Sequence, residues 1–481
     1  MNKSILLIFP KTNIKTFGGN EGTGAQEEKT IAPPLGLLYL AAELDAAGYS
    51  VDACDFNAED YSAKRLCAYA SKADLVGISV LSFNRTHAEE IIRELNAFDS
   101  KLPLIAGGPD LILHPRLVPG TLVSAVQEAE EIIVPLVDAV LGKKDLSQVP
   151  GILYRTEGGT VREGKPFLYT GNLDSMKFPL RRVLRDNKGY SILGRKESRN
   201  ITTIITSRGC PRKCTFCAHG AIAYQTYRRR SAENVIAEFR QIAEDGYRVV
   251  GIVDDNFTAD KARAKAILKG IIELNAKFTI AVQGRVDAAD FELFTLMRQA
   301  GVVLITFGLE SGNQDVLDFY KKGVTVEQNR QAIVLADRAG LYTAGLFMLG
   351  APMETTDHFR RTFALATHAP LDITSFWILD YTYGSTLWSE AHAKGLFPKS
   401  EFNVPAGLEH GTSPYPSRDI EKIGESYFFR FYLRPGYWMR QVVKLLRVRD
   451  KYFFTILLIG IYWLIRRKIG LMLGKMYKAK S

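Results

Sequence analysis

The chain has 481 residues, of which 46% are hydrophobic and 24% charged, and its formal net charge is +10. That length is too great for one typical domain and fits roughly three. Five cysteines are too few for a secreted disulfide framework and suit a reducing compartment.

The first residues, Met1-Asn2-Lys3-Ser4, run straight into the short apolar stretch Ile5–Pro10. With no small-residue cleavage site, this reads as a first β-strand of a cytoplasmic protein and not as a signal peptide. Strand and helix patterns then alternate. The strands expected are Ile5–Phe9, Val51–Cys54, Leu75–Val80, Leu104–Ala106 and Leu122–Val126. The helices expected are Gly36–Ala47, Ala63–Ser71, Thr86–Ala97 and Glu128–Leu141. This spacing predicts a doubly wound parallel sheet with helices on both faces, whose ligands bind beyond the strand carboxyl ends. The polar, Gly-rich segment Lys11–Pro34 follows the first of those ends, and loops that long are commonly functional. Residues 146–200 read as a connector with a small hairpin at Gly151–Tyr154 and Thr160–Arg162.

A second alternation begins at Ile201. Strands are expected at Ile201–Thr206, Val249–Val253, Thr279–Gln283, Leu304–Gly308, Thr343–Leu349 and Ile373–Leu379. Helices fit between them at Ala232–Glu244, Ala259–Asn275, Ala289–Ala300, Val326–Ala339 and Thr356–His368. Six such units imply a partial (β/α)6 barrel with its chemistry at the strand carboxyl ends. The fold class is therefore α/β in four parts: a doubly wound sheet (1–145), a connector (146–200), the barrel (201–395) and a C-terminal α-helical region (396–481).

From Ser426 to Ser481 the chain carries thirteen Lys and Arg against one acid, Asp450. Such a tail suits nucleic acid or an anionic membrane. Its aromatic and aliphatic content favours the membrane and argues against nucleic acid. Tyr452–Ile465 is an uncharged run of fourteen residues followed by Arg466-Arg467-Lys468. A span needs about 20 apolar residues, so this run fits an interface-lying helix or a core helix. A cytoplasmic protein peripheral on the inner membrane face follows as the expectation.

The strongest chemical signal is Cys210-Pro-Arg-Lys-Cys214-Thr-Phe-Cys217, directly after the first barrel strand. Iron–sulfur cubanes are usually held by four thiolates. Three in one loop leave one iron open to a further ligand, as a three-ligand catalytic zinc keeps an open position. A zinc site with His219 as fourth ligand and a set of packed structural cysteines are the competing readings. This loop, with Phe216 before its third cysteine, resembles the signature of the radical S-adenosylmethionine (SAM) superfamily. The resemblance spans roughly Ile201 to Gly395. It implies a [4Fe-4S] cluster on Cys210, Cys214 and Cys217, with SAM on the open iron. It also implies SAM contacts at Asp254, Asp255 and Asn256, at Arg285, at Glu310 and Ser311, and at Gly350.

The first domain resembles the cobalamin-binding domain fused to many such enzymes, through Ala32-Pro33-Pro34-Leu35-Gly36-Leu37-Leu38-Tyr39-Leu40-Ala41, Gly77-Ile78-Ser79 and Ala106-Gly107-Gly108-Pro109. The resemblance implies cobalamin contacts at Ser79, Gly107, Gly108, Gln127 and Glu128. Two departures stand out. Asp110 occupies the position of a family histidine, and Gln127-Glu128-Ala129-Glu130 stands where the family reads Gly-Glu-Gly-Glu. No Asp-x-His-x-x-Gly occurs, so no histidine of that motif ligates cobalt.

The resemblance is to class B radical SAM methyltransferases and the anaerobic magnesium-protoporphyrin ester cyclase group. It implies a 5′-deoxyadenosyl radical that takes hydrogen from an unactivated carbon, for cobalamin-dependent C-methylation of a small hydrophobic or lipid-linked substrate. It further implies an external electron donor of flavodoxin or ferredoxin type, and the basic tail adds peripheral membrane contact through 426–481. A cobalamin-dependent cyclase or carbon-skeleton enzyme and a non-catalytic cluster- or cobalamin-binding regulator are the alternatives. Methylthiotransferases that modify tRNA share the loop but carry three further N-terminal cysteines, and only Cys54 and Cys67 are present there.

Overall fold

The computed structural model describes residues 3–12, 32–167, 171–184, 190–192, 195–196, 201–219, 226–449 and 458. They form two compact units, one chiefly Thr30–Ile192 and the other beginning at Ile204.

The first unit alternates β1 (Ser4–Phe9), α1 (Leu35–Ala46), β2 (Ser50–Asp55), α2 (Ala63–Ala70), β3 (Leu75–Ser79) and α3 (Arg85–Phe98). It continues with β4 (Leu104–Gly107), α4 (Pro109–Leu113), β5 (Val123–Ala125), α5 (Ile133–Leu141), β6 (Ile152–Arg155) and β7 (Val161–Glu163). The sheet order is β2-β1-β3-β4-β5-β6-β7, parallel through β5 and then antiparallel. A parallel sheet covered on both faces needs strands that are apolar throughout. Ile5, Leu6, Leu7 and Ile8 of β1 are accordingly all buried. The hairpin β6–β7, read from sequence as part of a connector, extends this sheet. The helix expected over Glu128–Leu141 starts only at Ile133. Pro135 is the physical reason: it lacks an N–H and fits the first turn of a helix, but would break a helix begun at Glu128.

The barrel runs β8 (Ile201–Ile204), α6 (Ala232–Glu244), β9 (Val249–Ile252), α7 (Lys261–Glu273), β10 (Thr279–Gly284), α8 (Phe291–Gln299) and β11 (Val302–Glu310). It continues through α9 (Gln314–Phe319), α10 (Val326–Arg338), β12 (Tyr342–Leu349), α11 (Thr356–His368) and β13 (Ile373–Ile378). These six strands lie side by side in chain order, paired in parallel from β9 to β13. The helices start where the sequence supplies caps. Ser231, Asp260 and Asp290 accept backbone N–H groups in the first turns of α6, α7 and α8, and Thr325 with Gln328 closes a capping box on α10.

Strand side chains alternate between faces. Ile305, Phe307, Leu309, Phe347, Leu349 and Phe376 pack into the core beneath the helices. The opposite positions, including Val253, Thr306, Leu346, Met348 and Trp377, therefore form the inner wall of the barrel. After it come α12 (Thr386–Ala393), α13 (Ser417–Tyr432) and α14 (Pro435–Val448). Ile420, Tyr427 and Phe431 of α13 and Tyr437 of α14 join the barrel core. Among the described residues no helix is long and apolar enough to cross a membrane. Most of Lys11–Pro34, and all of the run Tyr452–Ile465 except Leu458, lie outside the described residues.

Candidate active site

The cysteine loop leaves the carboxyl end of β8 and is fastened on both sides. Asp254, directly after β9, is fully buried, and its carboxylate accepts from the Thr206 N–H at 2.6 Å, the Thr206 hydroxyl, and the Ser207 hydroxyl at 2.6 Å. Its visible work is to brace the entry to the loop, and burial holds its pKa above the carboxylate range. At the exit, the Thr215 N–H donates to Tyr320 O at 3.0 Å and its hydroxyl to Phe319 O at 3.1 Å. The short helix α9 thus anchors the segment that carries Phe216 and Cys217.

The sulfur atoms have donors of their own. Asn256 Nδ2 lies 3.9 Å from Cys210 Sγ and Arg285 Nη1 lies 3.7 Å from Cys214 Sγ. N–H groups aimed at cluster sulfurs are one of the means by which a protein sets a cluster's potential. Arg285 is held by Asp287 and by Lys322 O at 2.6 Å. Asn256 is held by the Thr258 hydroxyl at 2.9 Å. Burial pushes the Cys217 thiol up to about 11, so a metal binding there displaces a proton. Asp255 pairs with His219 at 2.8 Å and raises its pKa.

Opposite the loop lies a buried ion pair that sequence reading missed. Lys322 Nζ meets Glu310 Oε1 at 2.5 Å, with both side chains more than nine-tenths buried, and the ammonium sits 5.8 Å from the centre of the Phe216 ring. Phe216 in turn meets Tyr320 edge-on at 5.3 Å. Glu310 has φ +60°, a left-handed conformation that bulky residues rarely adopt and that clusters at functional sites. In sequence Lys321-Lys322-Gly323 looks like an ordinary basic turn; only the fold turns one of the two lysines inward.

Two more expected residues shape the site from behind. Ser311 is fully buried, 3.2 Å from Thr362 Oγ1, and ties the loop after β11 to α11. Gly350, with φ +111°, donates to Glu354 Oε2 at 2.6 Å, and Ala351 donates to the same oxygen at 2.9 Å. Burial lifts Glu354 to about 7. Its second oxygen and the Tyr320 hydroxyl have no partner among the described residues.

The donor set fits a cubane: three thiols on one loop, each with an N–H donor at its sulfur, from Asn256, Arg285 and the His219 backbone. Among the described residues no three His, Cys, Asp or Glu side chains converge on a single ion. The pair of Glu310 and Lys322 places a carboxylate and an ammonium together beside Phe216.

In the first unit Ser79 and Gly107 end β3 and β4, Gly108 follows with φ +123°, and Gln127 and Glu128 follow β5. Hydroxyl, amide and backbone groups along one sheet edge suit the amide-rimmed corrin of cobalamin. Asp110, at the position of a family histidine, is committed to two arginines and a serine. One oxygen takes Arg85 at 2.7 Å and Ser82 at 3.0 Å, and the other takes Arg116 at 2.7 Å. The two arginines hold its pKa down against the effect of burial.

Comparison with known proteins agrees with both halves. Residues 204–366 match the Radical SAM superfamily and residues 25–137 match the B12 binding domain. An uncharacterized methyltransferase of Pyrococcus horikoshii is 28% identical over 449 residues, covering 91% of this chain and 94% of that protein. The anaerobic magnesium-protoporphyrin IX monomethyl ester cyclase of Synechocystis is 28% identical over 327 residues, 65% of this chain and 63% of that one. In fold, the chain is similar to the radical SAM methyltransferase TsrM of Kitasatospora setae, solved with cobalamin and a [4Fe-4S] cluster bound. The TM-score is 0.66 at 20% identity, over 82% of this chain and 75% of that one.

Proposed function

We propose that this chain, a radical SAM enzyme with a B12-binding domain, methylates an unactivated carbon of a small, uncharged and largely apolar molecule. When bound, the [4Fe-4S] cluster supplies the electron that cleaves SAM to a 5′-deoxyadenosyl radical, and cobalamin supplies methyl-carrier chemistry. Cys210, Cys214 and Cys217 hold the cluster, and Asn256 and Arg285 donate to its sulfur ligands. Glu310 and Lys322 orient the amino-acid end of SAM, and Phe216 walls that position.

The observation that carries the apolar substrate is the inner wall of the barrel. Val253, Leu346, Met348 and Trp377 line it, with Met348 and Trp377 on paired register positions. Val253 and Trp377 remain 41% and 39% exposed. Apolar walls with a few placed polar groups are the usual composition of a small-molecule site. An external electron donor of flavodoxin or ferredoxin type and peripheral membrane contact through residues 426–481 complete the proposal.

Anaerobic reconstitution with iron, sulfide and hydroxocobalamin tests it. The expected result is a cluster band, a corrinoid band and 5′-deoxyadenosine on reduction with SAM. Cys214→Ala is expected to lose the cluster band and the nucleoside product while keeping the corrinoid. Absence of the corrinoid band from the wild-type protein would remove methyl transfer.

A further inference from the structure

Helix α14 is turned inside out. Beside the buried Tyr437, two of its polar side chains, Gln441 and Lys444, face the protein, and four of its apolar side chains face outward. Lys444 is 2% exposed and reaches Asp372 Oδ2 at 2.6 Å, Asp337 Oδ1 at 2.8 Å and Leu341 O at 2.7 Å. Gln441, also buried, donates to Asp372 Oδ1 at 3.1 Å, and the Tyr437 hydroxyl donates to Asp372 O at 2.8 Å. Arg447 pairs with Asp337 at 2.9 Å. Met439, Val442, Val443 and Leu446 are 71%, 53%, 64% and 70% exposed, and Leu433, just before the helix, is 59% exposed. Positions 439, 442, 443 and 446 share one helical face. The inward ion pairs fix the helix's rotation, so this apolar stripe cannot roll into the core.

What meets the stripe is indicated by the charge that follows it. From Arg449 onward the sequence holds eight Lys and Arg against Asp450 alone. An apolar stripe in a chain whose following sequence holds this excess of cations matches an anionic bilayer, whose acyl boundary takes apolar side chains and whose headgroups take cations. We infer that α14 is the element that lies on an anionic lipid surface. The inference rests on the membrane contact proposed above and names its site.

It also fixes an orientation. Asp372 and Leu341 precede β13 and β12, so α14 lies at the amino-terminal end of the barrel. The cysteine loop is at the opposite end, about 26 Å away for an eight-residue strand at roughly 3.3 Å per residue. A docked α14 leaves the cluster end of the barrel directed away from the lipid.

The test is co-sedimentation of the full chain with vesicles of phosphatidylcholine alone or containing phosphatidylglycerol. Wild-type protein is expected to pellet with the anionic vesicles only. Val443→Glu with Leu446→Glu, both at exposed positions that leave the inward ion pairs intact, is expected to weaken binding by about tenfold or more. If wild-type protein pellets with neither vesicle, membrane contact itself is wrong. If wild-type and the double variant pellet equally, contact stands but α14 is not its site. If the wild-type protein is a dimer that the double variant dissolves, with no vesicle binding, the stripe serves a second copy and the inference falls.

Discussion

Lys322 and Glu310 show how a single side chain changes meaning when the chain folds. An isolated buried charge costs several kcal/mol, and a buried pair holds only while both members are present. Lys322→Met is therefore expected to destabilise the protein by about 3–5 kcal/mol, read as a lowered thermal midpoint of the cluster-free protein. Adding Glu310→Gln to it is expected to restore much of the loss, because no uncompensated charge then remains. SAM binding, followed by equilibrium dialysis, is expected to stay weak in the double variant. A double variant no more stable than Lys322→Met would show that the two charges are not coupled.

The secondary-structure elements are strongly marked in sequence, because each carries its own local signal. The helices Ala232–Glu244 and Thr356–His368 fall where apolar periodicity and the cap residues place them. At the start of α5 a single residue, Pro135, was decisive. Helix α14 is the case where local pattern misleads. Its exposed and buried faces are both mixed in polarity by ordinary expectation, and only Asp337 and Asp372, distant in sequence, show which face turns inward. Lys444→Met removes the closest cation from Asp372, just before β13, and one of two cations from Asp337 on α10, which keeps Arg447. The expected cost is about 3–5 kcal/mol, together with faster hydrogen exchange in Pro435–Val448 than in β12. Unchanged exchange would mean that Tyr437 and the aromatic packing of α13 hold the helix without the ion pairs.

At the scale of the whole molecule, buried carboxylates in both units set a pH dependence. Burial raises Asp55 to about 6 in the first unit and Glu354 to about 7 in the second. A carboxyl whose pKa is higher folded than unfolded keeps its proton longer in the native state. Its contribution is therefore complete below the unfolded value and declines as pH rises through the folded one. For these groups stability is expected to fall between about pH 4 and about pH 7. Glu354→Gln is expected to flatten that fall, by an amount on the order of 3 kcal/mol if the full shift is expressed. Thermal midpoints of both proteins across that range check it, and parallel curves would remove Glu354 from the account.

The cysteine loop, the strand–helix alternation and the basic tail were readable from the chain alone, since each is a short-range pattern of residue types. The loop shows three thiols because they lie within eight residues, and the parallel sheets show themselves because each strand carries its own apolar run. What the tertiary structure decided is every relation that depends on distance in space between residues far apart in sequence. It turned Lys322 toward Glu310, set Asn256 and Arg285 beside the sulfurs, committed Asp110 to two arginines, and fixed which face of α14 looks out. The physical reason is that burial and Coulomb pairing act through space, and a sequence lists neighbours only along the chain.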